Sequence, residues 1–543
     1  MIASPATMSA ERHANEHAFD AIVVGAGFAG LYMLHRLRGL GLRARVIEAG
    51  SGPGGTWYWN RYPGARCDVL SMEYSYQFSD ELQQEWTWSE RYATQPEILR
   101  YVQHVADRFA LWPDIQFDTR VSAAHFDEAR ERWTVRLDTG AELTARFCIM
   151  ATGCLSSANI PNIPGRERFS GPTYHTGHWP HEGVDFTGKR VGIIGTGSSA
   201  LQSIPIIAEQ AAHLTVFQRT ATYAVPARNA TLDPAEVARI KAHYPEIRAH
   251  NWQEPFGVDF HQRPESAHAV SAEEREREFE KRWQEGTLGF LAAFGDLLTD
   301  QQANDYAAEF IRNKIRATVK DPATAAKLLP KQVVGCKRLC LDTRYYETFN
   351  RPNVTLVDVS ETPIARITPE GLEVGDTAHA FDCLVFATGF DAMTGALDKV
   401  DICGRAGLAL KEKWHAGPRT YLGLAMAGFP NLFTVSGPGS PSVLSNMLPT
   451  IEQHVNWIAD CIGYLEAHRK TLIEARAEAE DAWVDHVNAV AGMTLYPRCN
   501  SWYLGANIPG KPRIFMPYIG VPQYVAKCRQ VAADGYEGFA VSA

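Results

Sequence analysis

The sequence of 543 residues predicts an α/β fold with two parallel-sheet domains and a helical insertion in the second domain. Two short apolar strands, at residues 20–24 and 190–194, each lead into a glycine-rich loop and then into a segment of helical periodicity. Short apolar strands that enter helices through glycines are typical of parallel α/β units. Residues 233–331 are instead charged and helix-favouring, with few strand-like runs, and so predict the insertion.

The composition restricts the function classes before any motif is considered. The chain is 45% hydrophobic and 21% charged, with a formal net charge of -9, which is ordinary for a folded protein. Its length predicts two or three domains. No apolar run is long enough to span a bilayer, and the negative charge favours neither nucleic acid nor an anionic membrane as a partner. We expect a cytoplasmic protein that is a monomer or a weak homo-oligomer.

The amino-terminal segment and the cysteines also indicate a cytosolic chain. Residues 1–19 are polar and lack the basic start and apolar run of a secretory signal, so we expect a flexible tail. The ten cysteines are scattered without a C-x-x-C pair, which argues against a disulfide scaffold or a metal site. Cys336 and Cys340 flank a basic pair, and we expect both to be free thiols rather than a redox pair.

The first glycine loop, GAGFAG, has the complete pattern of a dinucleotide site. Gly25 permits the tight turn, Gly27 lets the backbone approach a pyrophosphate, and Gly30 lets the helix pack on the strand. The unpaired N–H groups at the start of that helix face the phosphates. Glu48 closes the next strand at the spacing of an acid that binds ribose hydroxyls. The loop therefore predicts a Rossmann-like site that holds FAD.

The second glycine loop, GTGSSA, differs from the first at the position of the acid. Glu48 lies at a fixed spacing after Gly25. The same spacing counted from Gly195 reaches Gln218, which is followed by Arg219. A carboxylate would repel a 2′-phosphate, whereas an arginine can hold it through two hydrogen bonds. The alternative is that Arg219 is a solvated residue at a strand end. We favour the phosphate role and predict NADPH at the second site.

The order of these units predicts the domain organisation. Residues 20–155 and 388–543 are expected to form the FAD-binding domain, and residues 156–387 the NADP-binding domain. The helical insertion is placed at about 228–332, inside the second domain. Beyond Gly389 we expect mixed loops, followed by one helix at 442–465 and another at about 475–490. The segment from Trp502 onward is rich in glycine and proline.

Residues 169–180 carry the most specific motif in the chain. Every fixed position of the pattern F-x-G-x-x-x-H-x-x-x-W-P is matched, by Phe169, Gly171, His175, Trp179 and Pro180. The segment resembles the fingerprint of the Baeyer–Villiger monooxygenases. The similarity covers nearly the whole chain, and the runs at 410–424 and 437–447 are closest to members that oxidise aryl and steroid ketones.

This resemblance implies an activity. In that family NADPH reduces FAD, O2 adds to the flavin to give a C4a-peroxyflavin, and the peroxide attacks a ketone carbonyl. A carbon then migrates to oxygen, and an ester or lactone is released. The expected partners are therefore a small ketone, aryl or cyclic, and O2. His175 and its fingerprint neighbours are assigned by the resemblance to the hinge between the domains.

The resemblance also assigns the catalytic pair. Arg338 matches the catalytic arginine of the family, and Asp68 matches its partner carboxylate. A fixed cation stabilises the anions that form in a site from which water is excluded. Because arginine stays protonated in proteins, Arg338 is expected to act through its charge and not as an acid. Asp68 is expected to orient it.

The remaining site residues are carried over position by position. Residues expected to contact FAD are Gly25, Gly27, Phe28, Ala29, Gly30, Glu48, Gly55, Thr56, Trp57, Tyr58, Trp59, Asp68, Tyr74, Val121 and Met447. Residues expected to contact NADP are Arg66, Gly195, Thr196, Gly197, Ser198, Ser199, Ala200, Arg219, Thr220, Lys337, Arg338 and Trp502. The substrate pocket is expected to include Ser440, Pro441, Ser442, Val443 and Leu444.

Three other functions are compatible with parts of the sequence. A flavin monooxygenase that oxidises nitrogen or sulfur needs no arginine to hold a peroxide anion, and it is kept as the alternative. A pyridine-nucleotide disulfide reductase needs a redox cysteine pair near the flavin, and no C-x-x-C or C-x-x-x-x-C stands there. No feature of the sequence favours a non-catalytic binding protein. The sequence departs from the family at residues 519–523 and at Ala200, and neither change removes an expected catalytic group.

Overall fold

The apolar strands and glycine loops assemble into two main sheets and three small ones. The structure is a computed structural model that describes residues 17–542. In chain order the strands are β1 Ala18–Val24, β2 Ala44–Ile47, β3 Ile115–Gln116, β4 Val121–Asp127, β5 Arg132–Leu137, β6 Glu142–Met150, β7 Thr173–His175, β8 Arg190–Ile194, β9 His213–Gln218, β10 Ala224–Pro226, β11 Cys340–Asp342, β12 Val354–Asp358, β13 Ile364–Thr368, β14 Gly371–Val374, β15 Thr377–Ala380, β16 Cys383–Phe386, β17 Asp401–Cys403, β18 Leu432–Thr434, β19 Leu472–Ala475 and β20 Phe539–Ser542.

The helices lie on both faces of the main sheets and in the insertion. In chain order they are α1 Phe28–Gly39, α2 Thr56–Trp59, α3 Asp80–Glu85, α4 Gln95–Arg108, α5 Ser198–Gln210, α6 Pro234–Ala242, α7 Tyr244–Asn251, α8 Ala272–Glu285, α9 Gln301–Thr318, α10 Pro322–Leu328, α11 Tyr345–Thr348, α12 Leu410–Lys413, α13 Met447–Ala467, α14 Ala477–Gly492 and α15 Val521–Ala533. No helix of the described chain is both long and apolar enough to cross a membrane.

The first main sheet has eight strands and contains the first glycine loop. Its order is β17-β4-β5-β6-β1-β2-β3, with β18 also paired to β6. β1 runs parallel to both β2 and β6, whereas β5 is antiparallel to its two neighbours. Helix α1 packs against α13, and the Tyr32 hydroxyl of α1 donates a 2.7 Å hydrogen bond to Asn456 Oδ1 of α13. These contacts bury the apolar face of the sheet beneath the helices.

The second main sheet has five strands, and all of its pairings are parallel. The order is β12-β9-β8-β16-β7, with β8 directly followed by the second glycine loop. Helix α5 packs on this sheet through apolar residues that include Leu201, Ile204 and Ile207. The predicted strands at 20–24 and 190–194 correspond to β1 and β8.

The insertion is helical, as its composition predicts, and its two ends meet. Helices α6 to α10 occupy the chain between β10 and β11, and those two short strands pair in parallel, with Ala224 opposite Cys340. The chain therefore leaves the second nucleotide unit and returns to it at adjacent strands. This return delivers Arg338, two residues before β11, to the junction between the two main sheets.

Three expectations about local structure are corrected. β1 begins at Ala18, so residues 18–19 belong to a strand, while the expected tail at 1–16 lies outside the described residues. The helix expected at 442–465 begins at Met447, because Asn446 caps it by accepting from the Leu448 N–H. The end of the chain, for which the sequence indicated only a glycine- and proline-rich segment, contains α15 and β20, which bury apolar side chains such as Tyr524 and Phe539.

A disulfide corrects the expectation for the cysteines. Cys336 is bonded to Cys499, with 5.7 Å between the two Cα atoms, so it is not a free thiol. The partners are separated by 163 residues, and only the folded chain brings them together. Cys340 is a free and buried thiol, as expected.

The two main sheets are joined by two chain crossings that run side by side. A β-bridge links Ala158 to Phe390, and the Asn159 N–H donates to the Gly389 carbonyl at 2.9 Å. The Thr388 hydroxyl donates to the Asn159 carbonyl at 2.5 Å. The crossings lie next to the predicted domain boundaries at 155 and 388, which we propose as the limits of the two domains.

Candidate active site

The first glycine loop leaves room for a ligand against its backbone. Gly25 has a φ of +103°, and a Cβ atom there would lie 2.6 Å from the Ala151 carbonyl oxygen. The backbone of Gly27 faces that of Gly55, and a Cβ atom on Gly55 would lie 2.9 Å from the Gly27 Cα atom. Two facing glycines therefore form a cradle in which side chains are excluded and a pyrophosphate can meet bare backbone.

Glu48 stands beside this cradle, as predicted. Its carboxylate accepts hydrogen bonds from the Ala26 N–H at 2.6 Å and from the Gly50 N–H at 2.8 Å. Burial raises the pKa of Glu48, although the backbone donors act in the opposite direction. The acid at the end of β2 is thereby fixed next to the glycine loop, where a ribose hydroxyl would bind.

Aromatic residues line the approach to the cradle. Trp57 donates from Nε1 to the Tyr74 hydroxyl at 3.1 Å, and the Tyr58 hydroxyl contacts Ser51 Oγ at 2.7 Å. Of the other residues expected to contact FAD, some lie at the start of α1 (Phe28, Ala29, with Gly30 following), some in α2 (Thr56, Trp59), one at the start of β4 (Val121) and one at the start of α13 (Met447).

Arg338 and Asp68 form a bidentate ion pair. Arg338 donates from Nε to one carboxylate oxygen of Asp68 at 2.5 Å and from Nη2 to the other at 2.7 Å. A third donation, from Nη1 to the Val443 carbonyl at 2.8 Å, fixes the guanidinium plane. The two residues are 270 positions apart and come from different halves of the chain. The pairing predicted for them is therefore present.

The environment keeps Arg338 charged. Burial alone would lower the pKa of its guanidinium, but the charge and hydrogen bonds of Asp68 more than offset this effect and raise the pKa above its ordinary value. The side chains of Arg338 and Asp68 are 26% and 22% exposed, so the pair is partly open to a ligand. A fixed cation in such a place can stabilise negative charge that develops nearby.

The second glycine loop repeats the geometry of the first. Gly195 has a φ of +115°, and a Cβ atom there would lie 2.3 Å from the Ala387 carbonyl oxygen. Gly197 is the N-cap of α5, which begins at Ser198 and has buried Ala200 in its first turn. The Thr196 hydroxyl donates to the Thr220 carbonyl at 2.8 Å and so ties this loop to the end of β9.

Two cations meet beside this second loop. Lys337 has a lowered pKa, first because of burial and then because the charge of Arg219 acts on it. In residues 17–542, neither side chain has an ion-pair or hydrogen-bond partner. Like charges repel, so a pair without a carboxylate favours an anion between them. Gln218, at the position of the first site's acid, is buried and donates to the Lys327 carbonyl at 2.7 Å.

The remaining residues expected to contact NADP lie around these two features. Ser199 Oγ is 3.1 Å from Thr176 Oγ1, and Ser198 Oγ is 3.2 Å from the Cys340 thiol. Arg66 pairs with Glu90 at 3.1 Å, and its backbone carbonyl accepts from Gln202 on α5. Trp502 opens a short 3-10 helix, Trp502–Leu504, at the edge of a separate apolar cluster.

Of the fingerprint residues, His175 contacts one of the two chain crossings. His175, at the end of β7, accepts from the Gly177 N–H at 2.9 Å and contacts the Thr388 hydroxyl at 3.3 Å. Burial lowers its pKa to about 4, so the ring is neutral at pH 7. Gly171 admits no side chain because a Cβ atom would lie 2.4 Å from the Asp382 carbonyl oxygen and 2.9 Å from the Phe169 ring. Trp179 is buried in a different apolar cluster. Pro180 follows.

An open cavity of about 560 Å³ adjoins Arg338. Its walls are mostly apolar and come from the insertion, the loop before α13 and the segment after α14. The lining residues are Val69, Phe256, Val258, Phe260, Leu288, Leu291, Gly335, Arg338, Leu339, Leu444, Ser445, Asn446, Tyr496 and Tyr503. Concave sites with apolar walls and a few polar groups are typical small-molecule sites.

The loop expected to line the substrate pocket, residues 440–444, reaches this cavity at one end. Of residues 440–444 only Leu444 lines the cavity, while the Val443 carbonyl instead holds Arg338. The loop turns its hydroxyl groups back on itself, since Ser440 Oγ donates to the Gly437 carbonyl at 2.7 Å and Ser442 Oγ to the Ser436 carbonyl at 3.3 Å. Pro441 lies between them and is not part of the wall.

Several lining residues were missed from the sequence. Phe256, Val258, Phe260, Leu288 and Leu291 belong to the insertion, which was interpreted as a solvated helical segment. The signal was a short apolar alternation, F-x-V-x-F, inside an otherwise charged stretch. Nothing in that alternation says which cavity the side chains enter, because the return of the insertion at β11 decides this.

The two sites have the chemistry of two different dinucleotides. The glycine cradle beside Glu48 fits a diphosphate with an unsubstituted ribose, and the cation pair beside the second loop fits a ribose that carries a phosphate. The apolar cavity is bordered by the fixed cation Arg338. This combination defines the class of oxidoreductases built from two dinucleotide-binding folds.

Comparison with known proteins shows which family of these oxidoreductases the chain resembles. Residues 22–280 match the family model described as pyridine nucleotide-disulphide oxidoreductase. A Baeyer–Villiger monooxygenase of Pseudooceanicola batsensis is 46% identical over 525 residues, which cover 95% of each chain. A phenazine N-monooxygenase of Lysobacter antibioticus is 45% identical over 527 residues, which cover 96% of each chain.

Solved structures agree with these relatives. An oxidized steroid monooxygenase bound to NADP is 54% identical, with a TM-score of 0.92, over 97% of this chain and 99% of the other. A closed cyclohexanone monooxygenase is 44% identical, with a TM-score of 0.95, over the same shares. The chain belongs to the Baeyer–Villiger monooxygenase family. The predicted family, fold class and enzyme class are thereby confirmed.

Proposed function

We propose that this enzyme uses FAD, NADPH and O2 to insert one oxygen atom beside the carbonyl of a ketone. The balanced reaction converts ketone, O2, NADPH and a proton into ester or lactone, NADP⁺ and water. The observation that carries the proposal is the bidentate Arg338–Asp68 pair at the wall of an apolar cavity. When bound, FAD reduced by NADPH supplies the activated oxygen.

The residues of the chain hold the reactants and stabilise charge. Glu48 and the Gly27–Gly55 cradle support FAD binding, and Arg219 with Lys337 supports a preference for NADPH over NADH. Arg338 lies where negative charge on the substrate oxygen can be stabilised, and Asp68 keeps the guanidinium in a fixed plane. The apolar walls exclude water from this charge, which strengthens the interaction.

The cavity supports aryl or cyclic ketones as substrates. Its lining includes two phenylalanines, Phe256 and Phe260, and the aliphatic side chains of Leu288, Leu291 and Leu339. Apolar walls of this kind favour a hydrophobic ring, and a carbonyl group would meet the Arg338 guanidinium that borders the cavity. Small polar ketones would bury less apolar surface and so gain less binding energy.

Nitrogen oxygenation is the second candidate. The support is a specific relative, since a phenazine N-monooxygenase is similar to this chain over nearly its full length. Such a reaction needs an electrophilic oxygen and an electron-rich substrate atom, and it makes no use of a cation that stabilises a carbonyl-derived anion. The Arg338–Asp68 pair therefore favours ketone oxidation as the principal activity.

A substrate panel separates the two candidates. Purified FAD-loaded enzyme is given NADPH with phenylacetone, cyclohexanone, a phenazine or an aryl methyl sulfide, and products are identified by chromatography. We expect esters or lactones from the ketones, in amounts that account for most of the NADPH consumed. N-oxide or sulfoxide without any ester, over a broad ketone panel, would overturn the proposal.

A further inference from the structure

Two tyrosines bring hydroxyl groups to the cavity that contains Arg338. Tyr503 is 2% exposed and Tyr496 is 5% exposed, and both line the cavity wall. Within the described part of the chain, neither hydroxyl has a hydrogen-bond partner. A phenol hydroxyl that has no protein partner and belongs to the wall of an open cavity is able to donate a hydrogen bond to a ligand there.

The other polar side chains of the wall are already engaged. Ser445 Oγ donates to the Ser442 carbonyl at 2.9 Å, and Asn446 donates to the Glu73 carbonyl at 2.9 Å. Arg338 uses three N–H groups on Asp68 and Val443 and retains others. The donors left for a ligand are therefore those of Arg338 and the two phenols.

Tyr503 is the phenol that belongs to the charged pair. Arg338 and Asp68 both act electrostatically on its hydroxyl, and Tyr503 in turn acts on Arg338. Burial, the first cause, raises the pKa of Tyr503, so the group carries its proton and can donate at neutral pH. Tyr496 is influenced by Arg338 alone among the charged groups and packs edge-on against the Tyr503 ring, with centroids 5.7 Å apart.

The position of Tyr503 is fixed by its own backbone. Its N–H donates to Ser501 Oγ at 3.2 Å, and its carbonyl accepts from the Met516 N–H at 3.0 Å. The ring also packs against Trp502 and Phe515, at centroid distances of 4.2 Å and 6.4 Å. Because both the N–H and the carbonyl of Tyr503 are hydrogen-bonded, its hydroxyl keeps its direction when a ligand fills the cavity.

We propose that the Tyr503 hydroxyl donates a hydrogen bond to the carbonyl oxygen of the substrate ketone and, with Arg338, orients that carbonyl for attack. The inference rests on the proposed function, because it concerns the ketone that this cavity takes. The hydroxyl keeps its proton throughout, and no bond to the tyrosine is made or broken. It stabilises the oxygen on which negative charge develops.

The test uses a substrate without a carbonyl as an internal comparison. Tyr503→Phe removes only the hydroxyl, and Tyr464→Phe, on α13 and not among the residues that line the cavity, is the matched control. Each FAD-loaded variant is assayed with phenylacetone and with methyl phenyl sulfide. For Tyr503→Phe we expect kcat/KM for ester formation to fall about 10- to 100-fold, while sulfide oxidation changes less than twofold.

The outcomes separate this inference from the proposed function. We expect Tyr464→Phe to keep ester formation within about threefold of the wild type, because Tyr464 is not part of the cavity wall. Equal losses of ketone and sulfide oxidation in Tyr503→Phe would mean a structural role and would overturn the inference. Unchanged ester formation in that variant would do the same. A wild-type enzyme that oxidises the sulfide but no ketone would overturn the proposed function itself.

Discussion

Arg338 and Asp68 form a bidentate ion pair, although 270 positions separate them in the chain. Asp68 follows the glycine-rich segment after the first nucleotide loop, and Arg338 precedes the strand that returns from the insertion. The pair therefore forms only when both nucleotide units and the insertion are in place. The position of the Arg338 cation is therefore coupled to the assembly of the whole site.

Replacing Asp68 tests the orienting role of the carboxylate. In Asp68→Asn an NH2 group replaces one of the two carboxylate oxygens, so one of the two hydrogen bonds from Arg338 is lost. The guanidinium is then no longer held in one plane. We expect ester formation to fall about 10- to 100-fold with NADPH-dependent flavin reduction retained. The matched control is Asp382→Asn, which breaks a similar Arg–Asp pair on the surface with Arg190. An Asp68→Asn enzyme as active as the control would contradict the orienting role.

The two unpaired cations predict cofactor preference. Arg219→Ala removes one of the charges expected to hold a 2′-phosphate, so the KM for NADPH should rise about 10- to 100-fold. The KM for NADH, which lacks that phosphate, should change little. Steady-state kinetics with both nucleotides measure the ratio, and Lys320→Ala, an exposed lysine in the same half of the chain, is the control. An equal rise for NADH would mean that Arg219 does not recognise the phosphate.

A buried acid predicts a pH dependence of stability. Burial raises the pKa of Glu452 to about 8 from an ordinary 4.5. The Gln77 and Phe78 N–H groups both donate to its Oε1, at 2.9 Å each, which leaves the other oxygen to carry a proton. The folded chain therefore holds this proton at pH values where the unfolded chain has released it. The stability it contributes is complete below the unfolded pKa and is lost as the pH rises to about 8.

Glu452→Gln isolates that contribution. The amide keeps the acceptor oxygen for Gln77 and Phe78 and cannot ionise, so the variant avoids the cost of a buried carboxylate. We expect its melting temperature to exceed that of the wild type by more at pH 8 than at pH 5. Glu246→Gln, an exposed position on α7, is the control and should show no such difference. A parallel pH profile for Glu452→Gln and the wild type would refute this account of the acid.

The disulfide predicts a thiol count. The native enzyme, unfolded in guanidinium without reductant, should expose eight reactive thiols, because Cys336 and Cys499 are joined. Cys499→Ser should raise that count by one, since Cys336 is released. Cys403→Ser, a half-buried free cysteine, should lower it by one. Ten thiols in the native enzyme, as the sequence suggested, would mean that the bond does not form.

The sequence was most informative where chemistry depends on neighbours in the chain. The same number of residues leads from Gly25 to Glu48 and from Gly195 to Gln218, which is followed by Arg219. This difference in residue type predicted two different nucleotides, because a strand, a loop and a helix of fixed lengths set the spacing. The resemblance supplied the Arg338–Asp68 pair. The charged, helix-favouring composition of residues 233–331 predicted helices, because helix-forming residues and their periodicity are local properties.

The sequence was least informative where distant segments meet. Phe256 and Leu291 line the cavity only because β10 and β11 pair and return the insertion to Arg338. Cys499 reaches Cys336 for the same reason. Tyr503 stood beside a residue already assigned to NADP, yet its direction depends on the packing of Tyr496 and Phe515. Such side-chain directions follow from tertiary packing and not from spacing.

The yield of ester per NADPH oxidised, compared between the wild type and Arg338→Ala, tests the central claim most directly. The wild type should convert phenylacetone to ester with a yield close to one. Arg338→Ala should still oxidise NADPH and reduce bound FAD, yet it should release hydrogen peroxide and no measurable ester, because the charge on the substrate oxygen is no longer stabilised. A normal ester yield from Arg338→Ala would contradict the account.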